Sequence, residues 1–403
     1  MQKFNDERDW FCEKRFGMFI HWGIYAVDAR HEQAWQRYGM EADEYRKLKE
    51  RFNPGNFNPD AWLDLAENTG MEYMVFTTRH HDGFCMWNTP TTDFNIMNSP
   101  YGKDICAMLA EACHKRDLPL EWYYSVVDWN HPAYPNIGRH HEINTDPVRH
   151  DWSAYLDFLK AQIRELCTNY GKIYGIWWDM NVPEHRDHDI HSMIRNLQPA
   201  AVINNRGFDE GDYSTPERDY DPEGANHGEV AFQRRTEACQ SVGVNSWGFR
   251  EDEDYFSSLY FMKNIDRYLA QGANYLLNVG PDANGDIPPQ AVNILKNVGE
   301  WYKKVKESFC EPVPGMFNDK KLLCTRSGNA TYVHCHKGLD CSSLSLFPLA
   351  DAPRRVILLN TGEAIDFTSE PLVYNMNLKK ELRLRHIPVE ELSATVPVFK
   401  LEF

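Results

Sequence analysis

A short apolar run that halts on a polar or charged side chain recurs along the first three quarters of this chain, each time leading toward a stretch with helical spacing. Gly175-Ile-Trp-Trp-Asp179 is the sharpest instance. Bulky residues at that density read as a buried parallel strand, which puts Asp179 at the strand's carboxyl end. Phe16-Gly-Met-Phe-Ile20 runs likewise into His21 and Trp22, and Gly70 to Thr78 runs into Arg79, His80, His81 and Asp82. Leu118 to Ser125, Ala201 to Arg206 and Gly272 to Val279 complete the set. Helical periodicity falls at 58–68, with Asn58 as its cap, and at 104–116, 152–169 and 289–309. Strand then helix, repeated at roughly thirty to fifty residues with acids, imidazoles and an arginine at the strand ends, predicts an α/β chain of the (β/α)8-like TIM-barrel type. In that fold the carboxyl ends of the strands carry the chemistry. A doubly wound sheet also alternates, but it advertises a glycine-rich phosphate turn after its first strand, and this chain has none.

Beyond Pro312-Val-Pro314 the pattern changes to short alternating runs, among them Ala330 to Cys335, Ser343 to Phe347 and Leu392 to Phe403. Two domains are therefore expected: a catalytic barrel over residues 1–312 and a small antiparallel β-sandwich over 315–403. The excess of 59 acidic over 43 basic residues, without a basic stripe, argues against nucleic acid as a partner. No run reaches transmembrane length, and Met1 to Trp10 lacks the apolar centre of a signal peptide. The expectation is no membrane partner and a cytoplasmic location. Ten cysteines without a CxxC pair fit reduced, buried thiols better than a disulfide frame or a zinc site. A homo-oligomer stays open.

Hydrolysing a glycoside with retention takes two carboxyl groups about 5–5.5 Å apart, one to attack the anomeric carbon and one to protonate the leaving oxygen. Asp179 suits the first task. For the second, two acids lie in stretches whose polarity predicts loops: Glu217 in Asp212-Tyr-Ser-Thr-Pro-Glu217 and Glu237 in Arg235-Thr-Glu-Ala-Cys239. Arg206 suits substrate binding or the task of holding the nucleophile ionised. The adjacent His80 and His81 point to opposite faces if the backbone is extended, which disfavours their ligating one metal. A polar role in a sugar pocket is preferred, with no metal and no other cofactor. His334-Cys-His336 has metal-like spacing but falls in the β domain, where a surface strand is the expected setting. Asp282-Ala-Asn-Gly-Asp286 departs from the EF-hand pattern and reads as a tight loop before a helix. The 12 tryptophans and 20 tyrosines supply rings suited to sugar faces.

Taken together and in order, several runs resemble the α-L-fucosidases of glycoside hydrolase family 29. They are Phe16 to Tyr25, His80-His-Asp-Gly-Phe84 with Trp87, Tyr123-Tyr-Ser125 with Asp128 and Trp129, and Trp177-Trp-Asp179. Asn204-Asn-Arg206, Ser246-Trp-Gly-Phe249 and Leu276-Leu-Asn-Val-Gly-Pro281 follow. The resemblance implies a retaining, metal-free mechanism through a covalent fucosyl-enzyme, acting on a fucosylated oligosaccharide or glycoside. It makes Asp179 the nucleophile and His21, His80, His81, Tyr124, Trp177 and Arg206 the sugar-binding shell. Glu32 and Trp35 occupy the place of an acidic and an aromatic pocket residue, and Trp177 or Trp87 would wall the C5-methyl face. The acid/base position varies in this family, so Glu217 is the first choice and Glu237 the second. Departures include Arg79 for a common Lys, Met180 for a Gly beside the nucleophile, Asn205 for an Asp, and Thr236 for a Trp. An α-L-galactosidase or a non-catalytic carbohydrate-binding relative are the alternatives.

Overall fold

The computed structural model describes residues 2–134, 151–179, 187–218, 232–371 and 380–403. Seven parallel strands form a curled sheet: β1 (Phe16–Ile20), β2 (Tyr73–Arg79), β3 (Leu120–Ser125), β4 (Gly175–Asp179), β5 (Val202–Ile203), β6 (Glu237–Ser241) and β7 (Asn274–Val279), in the order β5-β4-β3-β2-β1-β7-β6. The two edges, β5 and β6, are joined by residues 213–217 through parallel bridges Asn204–Tyr213, Ser214–Thr236 and Glu217–Cys239. This closing segment acts as an eighth stave and completes a barrel.

The stretches around Glu217 and Glu237, expected to be loops, are therefore the closing segment and β6. Helices at Pro59–Thr69, Ile105–Lys115, Trp152–Thr168 and Pro289–Val305 stand where periodicity places them, the first three capped by Asn58, Asp104 and Asp151 side chains. Two further helices, His188–Leu197 and Ser258–Ala270, add to those the periodicity predicts.

Strand alternation sorts the side chains into two sets. Ile176 and Trp178 of β4 face outward into the large core between strands and helices, whereas Trp177 joins Phe19, Val75, Tyr123, Val202, Tyr213, Cys239 and Leu276 in a second core inside the barrel. The N-terminal segment seals the lower end. Trp10 Nε1 donates to the Ala200 carbonyl at 2.9 Å, and the Phe11 ring lies 4.5 Å from that of Tyr213.

The chain leaves the barrel through β8 (Glu311–Pro312) into two antiparallel sheets. One comprises β8, β9 (Leu323–Ser327), β10 (Ala330–His334), β12 (Arg355–Leu358), β13 (Glu363–Ala364) and β16 (Val398–Glu402). The other comprises β11 (Leu344–Leu349), β14 (Phe367–Pro371) and β15 (Lys380–Leu384), and the two share a separate apolar core. His334 and His336 are buried rather than on a surface strand. His334 Nδ1 lies 2.7 Å from Asp266 Oδ1 on the barrel helix Ser258–Ala270, so the pair is an interface between the two parts. Among the described residues no helix is long and apolar enough to cross a membrane.

Candidate active site

The carboxyl ends of the strands surround an open pocket. Asp179 ends β4 with its side chain turned inward, as the alternation Gly175, Trp177, Asp179 requires. Tyr123 Oη donates to Asp179 Oδ2 at 2.7 Å, and Arg206 Nη1 donates to Oδ1 at 3.2 Å. Burial alone would raise the Asp179 carboxyl, but His81, Arg206 and the Tyr123 hydroxyl outweigh it and hold the group below its ordinary value. It is ionised at neutral pH, as a nucleophile must be.

Arg206 lies just beyond β5 and is itself anchored to the closing segment, its Nε on Thr215 Oγ1 at 2.7 Å and its Nη2 on the Thr215 carbonyl at 2.9 Å. The same Nη1 that bonds Asp179 also bonds Glu217 Oε2 at 2.9 Å. One nitrogen shared by two acids bounds their oxygens to roughly 6 Å at most, on the scale of the about 5–5.5 Å spacing that double displacement uses. The Glu217 side chain is 38% exposed against 14% for Asp179. An acid that open is within reach of solvent at the pocket mouth.

Three histidines crowd the same face. Asn278 Nδ2 donates to the Trp247 carbonyl at 2.7 Å and to Ser241 Oγ at 3.0 Å, which turns Asn278 Oδ1 toward His21 Nδ1 at 2.7 Å. His21 therefore donates from Nδ1 and keeps Nε2 as an acceptor, a tautomer assigned from the network. Burial lowers its proton affinity and keeps the ring neutral. Ser125 Oγ spends its only hydrogen on the Val127 carbonyl at 2.8 Å, so it accepts from His81 Nδ1 at 2.7 Å. His81 Nε2 then faces Asp179 Oδ2 at 3.8 Å.

The rings of His80 and His81 are 4.1 Å apart and both line the pocket, contrary to the opposite-face expectation. The reason is that β2 ends at Arg79, so the pair sits in the turn beyond the strand and is free of strand alternation.

Glu32 is buried at the pocket wall. Its Oε2 accepts from Trp247 N at 3.0 Å and Gly248 N at 3.3 Å, fixing the turn that presents Trp247 to the pocket. Burial raises this carboxyl, but His31 and Ser246 more than offset it and the group lies below its ordinary value.

His21, Glu32, His80, His81, Trp177, Asp179, Arg206 and Glu217 are thus brought together. Four others are not. Tyr124 faces outward, its hydroxyl on Gln162 Oε1 at 2.7 Å and its ring under the Arg79 guanidinium; Tyr123, on the inward register, is the pocket tyrosine. Trp35 stacks on Tyr45 at 4.7 Å behind the wall, and Trp87 donates to Glu165 Oε2 at 2.9 Å on the outer helix layer. Glu237 opens β6 rather than closing it, so its carboxylate lies beneath the pocket, bonded to Tyr73 Oη and Trp177 Nε1. Met180 falls outside the described residues. Phe19, Gln33, Tyr123, Cys239 and Trp247 line the pocket without having been singled out, although pairing Tyr123 with Trp177 in register would have found the first tyrosine.

Comparison with known proteins bears on the family and the fold. The profile of the family described as Alpha-L-fucosidase matches residues 2–307. Bovine tissue alpha-L-fucosidase is 27% identical over 399 residues, covering 90% of this chain and 82% of that protein. The solved alpha-L-fucosidase isoenzyme 1 of Paenibacillus thiaminolyticus superposes with a TM-score of 0.84 at 29% identity, covering 98% of both chains. The alpha-L-fucosidase of Vibrio sp. strain EJY3, at 24% identity, shares the fold with a TM-score of 0.87 over 99% of this chain and 73% of that one. A closed barrel whose strand ends bring two acids to one guanidinium, under a profile spanning most of its length, makes this chain a member of the alpha-L-fucosidase family.

Proposed function

We infer that the protein is a retaining exo-glycosidase that removes terminal α-L-fucose by double displacement. The carrying observation is Arg206 Nη1, which bonds Asp179 and Glu217 at once and so supports their acting across one sugar ring. Asp179 Oδ attacks the anomeric carbon as Glu217 gives its proton to the departing oxygen. Glu217, then a carboxylate, takes a proton from water, and the hydroxide oxygen displaces Asp179 to release fucose. The acceptor nitrogen assigned to His21 suits a sugar hydroxyl, and Phe19, Trp177 and Trp247 offer apolar surface for a C5 methyl. A pocket of that kind rejects an added hydroxyl only about a hundredfold, so α-L-galactosides are slow substrates rather than inert ones. Ten free thiols support a reducing compartment, the cytoplasm.

The test is hydrolysis of nitrophenyl α-L-fucoside with the anomer of the first product read by proton NMR. The α-anomer formed first, together with loss of turnover in Asp179→Ala, is the expected result. A β-anomer formed first would overturn the double displacement, and binding of L-fucose without turnover would favour a carbohydrate-binding relative.

A further inference from the structure

Below the pocket floor, the barrel encloses two carboxylates that the reaction does not use. Glu121 on β3 and Glu237 on β6 are both fully buried, and among the described residues neither forms an ion pair. Trp10 and Phe11 close them off from below, while Trp177 lies between them and the pocket. Gly175 faces Glu121 in register, and a Cβ there would overlap its carboxylate, so the glycine makes room for this group.

The two acids are not equivalent. Glu237 receives two donors, Tyr73 Oη at 2.6 Å and Trp177 Nε1 at 2.9 Å. Glu121 receives only Tyr213 Oη, at 3.5 Å, and its Oε1 has no partner among the described residues. Donors stabilise an anion and an unmatched oxygen suits a proton, so of the two Glu237 gives up its proton first and Glu121 holds its own. Burial and the Glu237 charge push Glu121 far up, whereas burial raises Glu237 to about 7 against the bonds from Tyr73 and Trp177.

The indole held by Glu237 touches the groups that hold the nucleophile. Trp177 stacks on Tyr123 at 5.7 Å and 17°, and the Arg206 guanidinium lies 5.0 Å from its ring. Tyr123 and Arg206 both donate to Asp179. We propose that Glu237 is a positioning residue: by fixing the indole plane of Trp177 from below, its carboxylate sets the placement of Tyr123 and Arg206 around Asp179. The proposal rests on the hydrolase reading of the pocket above it.

Glu237→Gln keeps an oxygen to accept from Trp177, whereas the near-isosteric Glu237→Met does not. Measured on nitrophenyl α-L-fucoside, Glu237→Met is expected to lower kcat/KM by about tenfold or more, with Glu237→Gln within about threefold of wild type. In a Trp177→Phe background the N–H is gone, and the difference between Gln and Met at position 237 should vanish. A purely structural role predicts the same difference in both backgrounds. Equal kcat/KM for the two variants in the wild-type background, or a difference that persists with Trp177→Phe, overturns the proposal. Should Glu237→Met not fold, a Trp177→Phe enzyme with wild-type kcat/KM overturns it instead. The same comparison read as L-fucose affinity by calorimetry separates the two readings: a parent protein without turnover sinks the hydrolase, while the Gln-against-Met difference in Kd still reports on Glu237.

Discussion

In the proposed reaction, two acids bonded to one guanidinium nitrogen divide their work by environment. Asp179 is mostly buried and held ionised, while Glu217 reaches the open side of the pocket. Removing the acid should hurt in proportion to how badly the leaving group needs a proton. Glu217→Ala is expected to lose about 10²–10⁴-fold in kcat/KM on a fucosyl disaccharide and far less on nitrophenyl α-L-fucoside, whose phenolate leaves unaided. Equal losses on both substrates would remove Glu217 from the acid role. The histidine pair carries a second prediction. His80, His81 and Asp179 offer three ligand atoms within 4.8 Å of one another, and His81 presents Nε2 while Nδ1 is tied to Ser125. That is the arrangement of a metal-ligating imidazole with its outer partner in place. Zn²⁺ is therefore expected to compete with substrate, raising apparent KM and reversed by a chelator, whereas Mg²⁺, which prefers oxygen ligands, should not. An unchanged KM in Zn²⁺ would count against His80, His81 and Asp179 converging on one ion.

The strands that read clearly in the sequence are those whose inward residues are apolar until the last position. Gly175-Ile-Trp-Trp-Asp179 is such a strand, and so is Phe16 to Ile20 before His21. β6 is illegible because its inward residues are Glu237, Cys239 and Ser241, and a wholly buried glutamate inside a barrel has no signature in one chain. What makes it tolerable, the Tyr73 and Trp177 donors, comes from strands far away in sequence. The closing segment is hidden for a related reason: within 213–217, which includes Pro216, Tyr213, Ser214 and Glu217 each bridge a neighbour singly instead of forming a ladder. Tyr124 reads as well as Tyr123 because adjacent tyrosines cannot be told apart until the register with β4 is known. The crowding of this layer is testable at Gly175. Gly175→Ala is expected to cost about 1–3 kcal/mol by overpacking against Glu121, and much less in a Glu121→Ala background, as measured by urea denaturation. Proton linkage gives the other test. Folding raises the Glu121 carboxyl well above its ordinary 4.5, so the folded protein keeps a proton that the unfolded chain has lost, and stability declines as pH rises past that value. Glu121→Gln removes the Glu121 share of the decline, leaving that of Glu237: its Tm should exceed that of wild type at pH 8, with the gap closing at pH 4.

At the scale of the molecule, the β domain contributes no side chain to the pocket among the described residues, yet it is bonded to the barrel through a buried pair. Thr325 Oγ1 donates to the Ser308 carbonyl, so it accepts from His334 Nε2 at 3.1 Å, and His334 Nδ1 meets Asp266 Oδ1 at 2.7 Å. Both ring nitrogens of His334 are thus engaged, one by each part of the molecule. Both partners are fully buried. Breaking such a hydrogen bond from one side leaves a buried polar group unmatched and costs about 1–3 kcal/mol, whereas replacing both partners with apolar groups is close to neutral. Asp266→Leu is therefore expected to lower unfolding free energy by about that amount, and Asp266→Leu with His334→Leu to recover most of it. The helix that carries Asp266 leads into β7, whose Asn278 orients His21, but that link runs through backbone packed on both sides. Neither Asp266 nor His334 lines the pocket, so kcat/KM per folded molecule should stay within about threefold in both variants while Tm separates them. A fall in kcat/KM that tracks the loss of the Asp266–His334 bond would instead make the β domain part of the machinery that sets the sugar site.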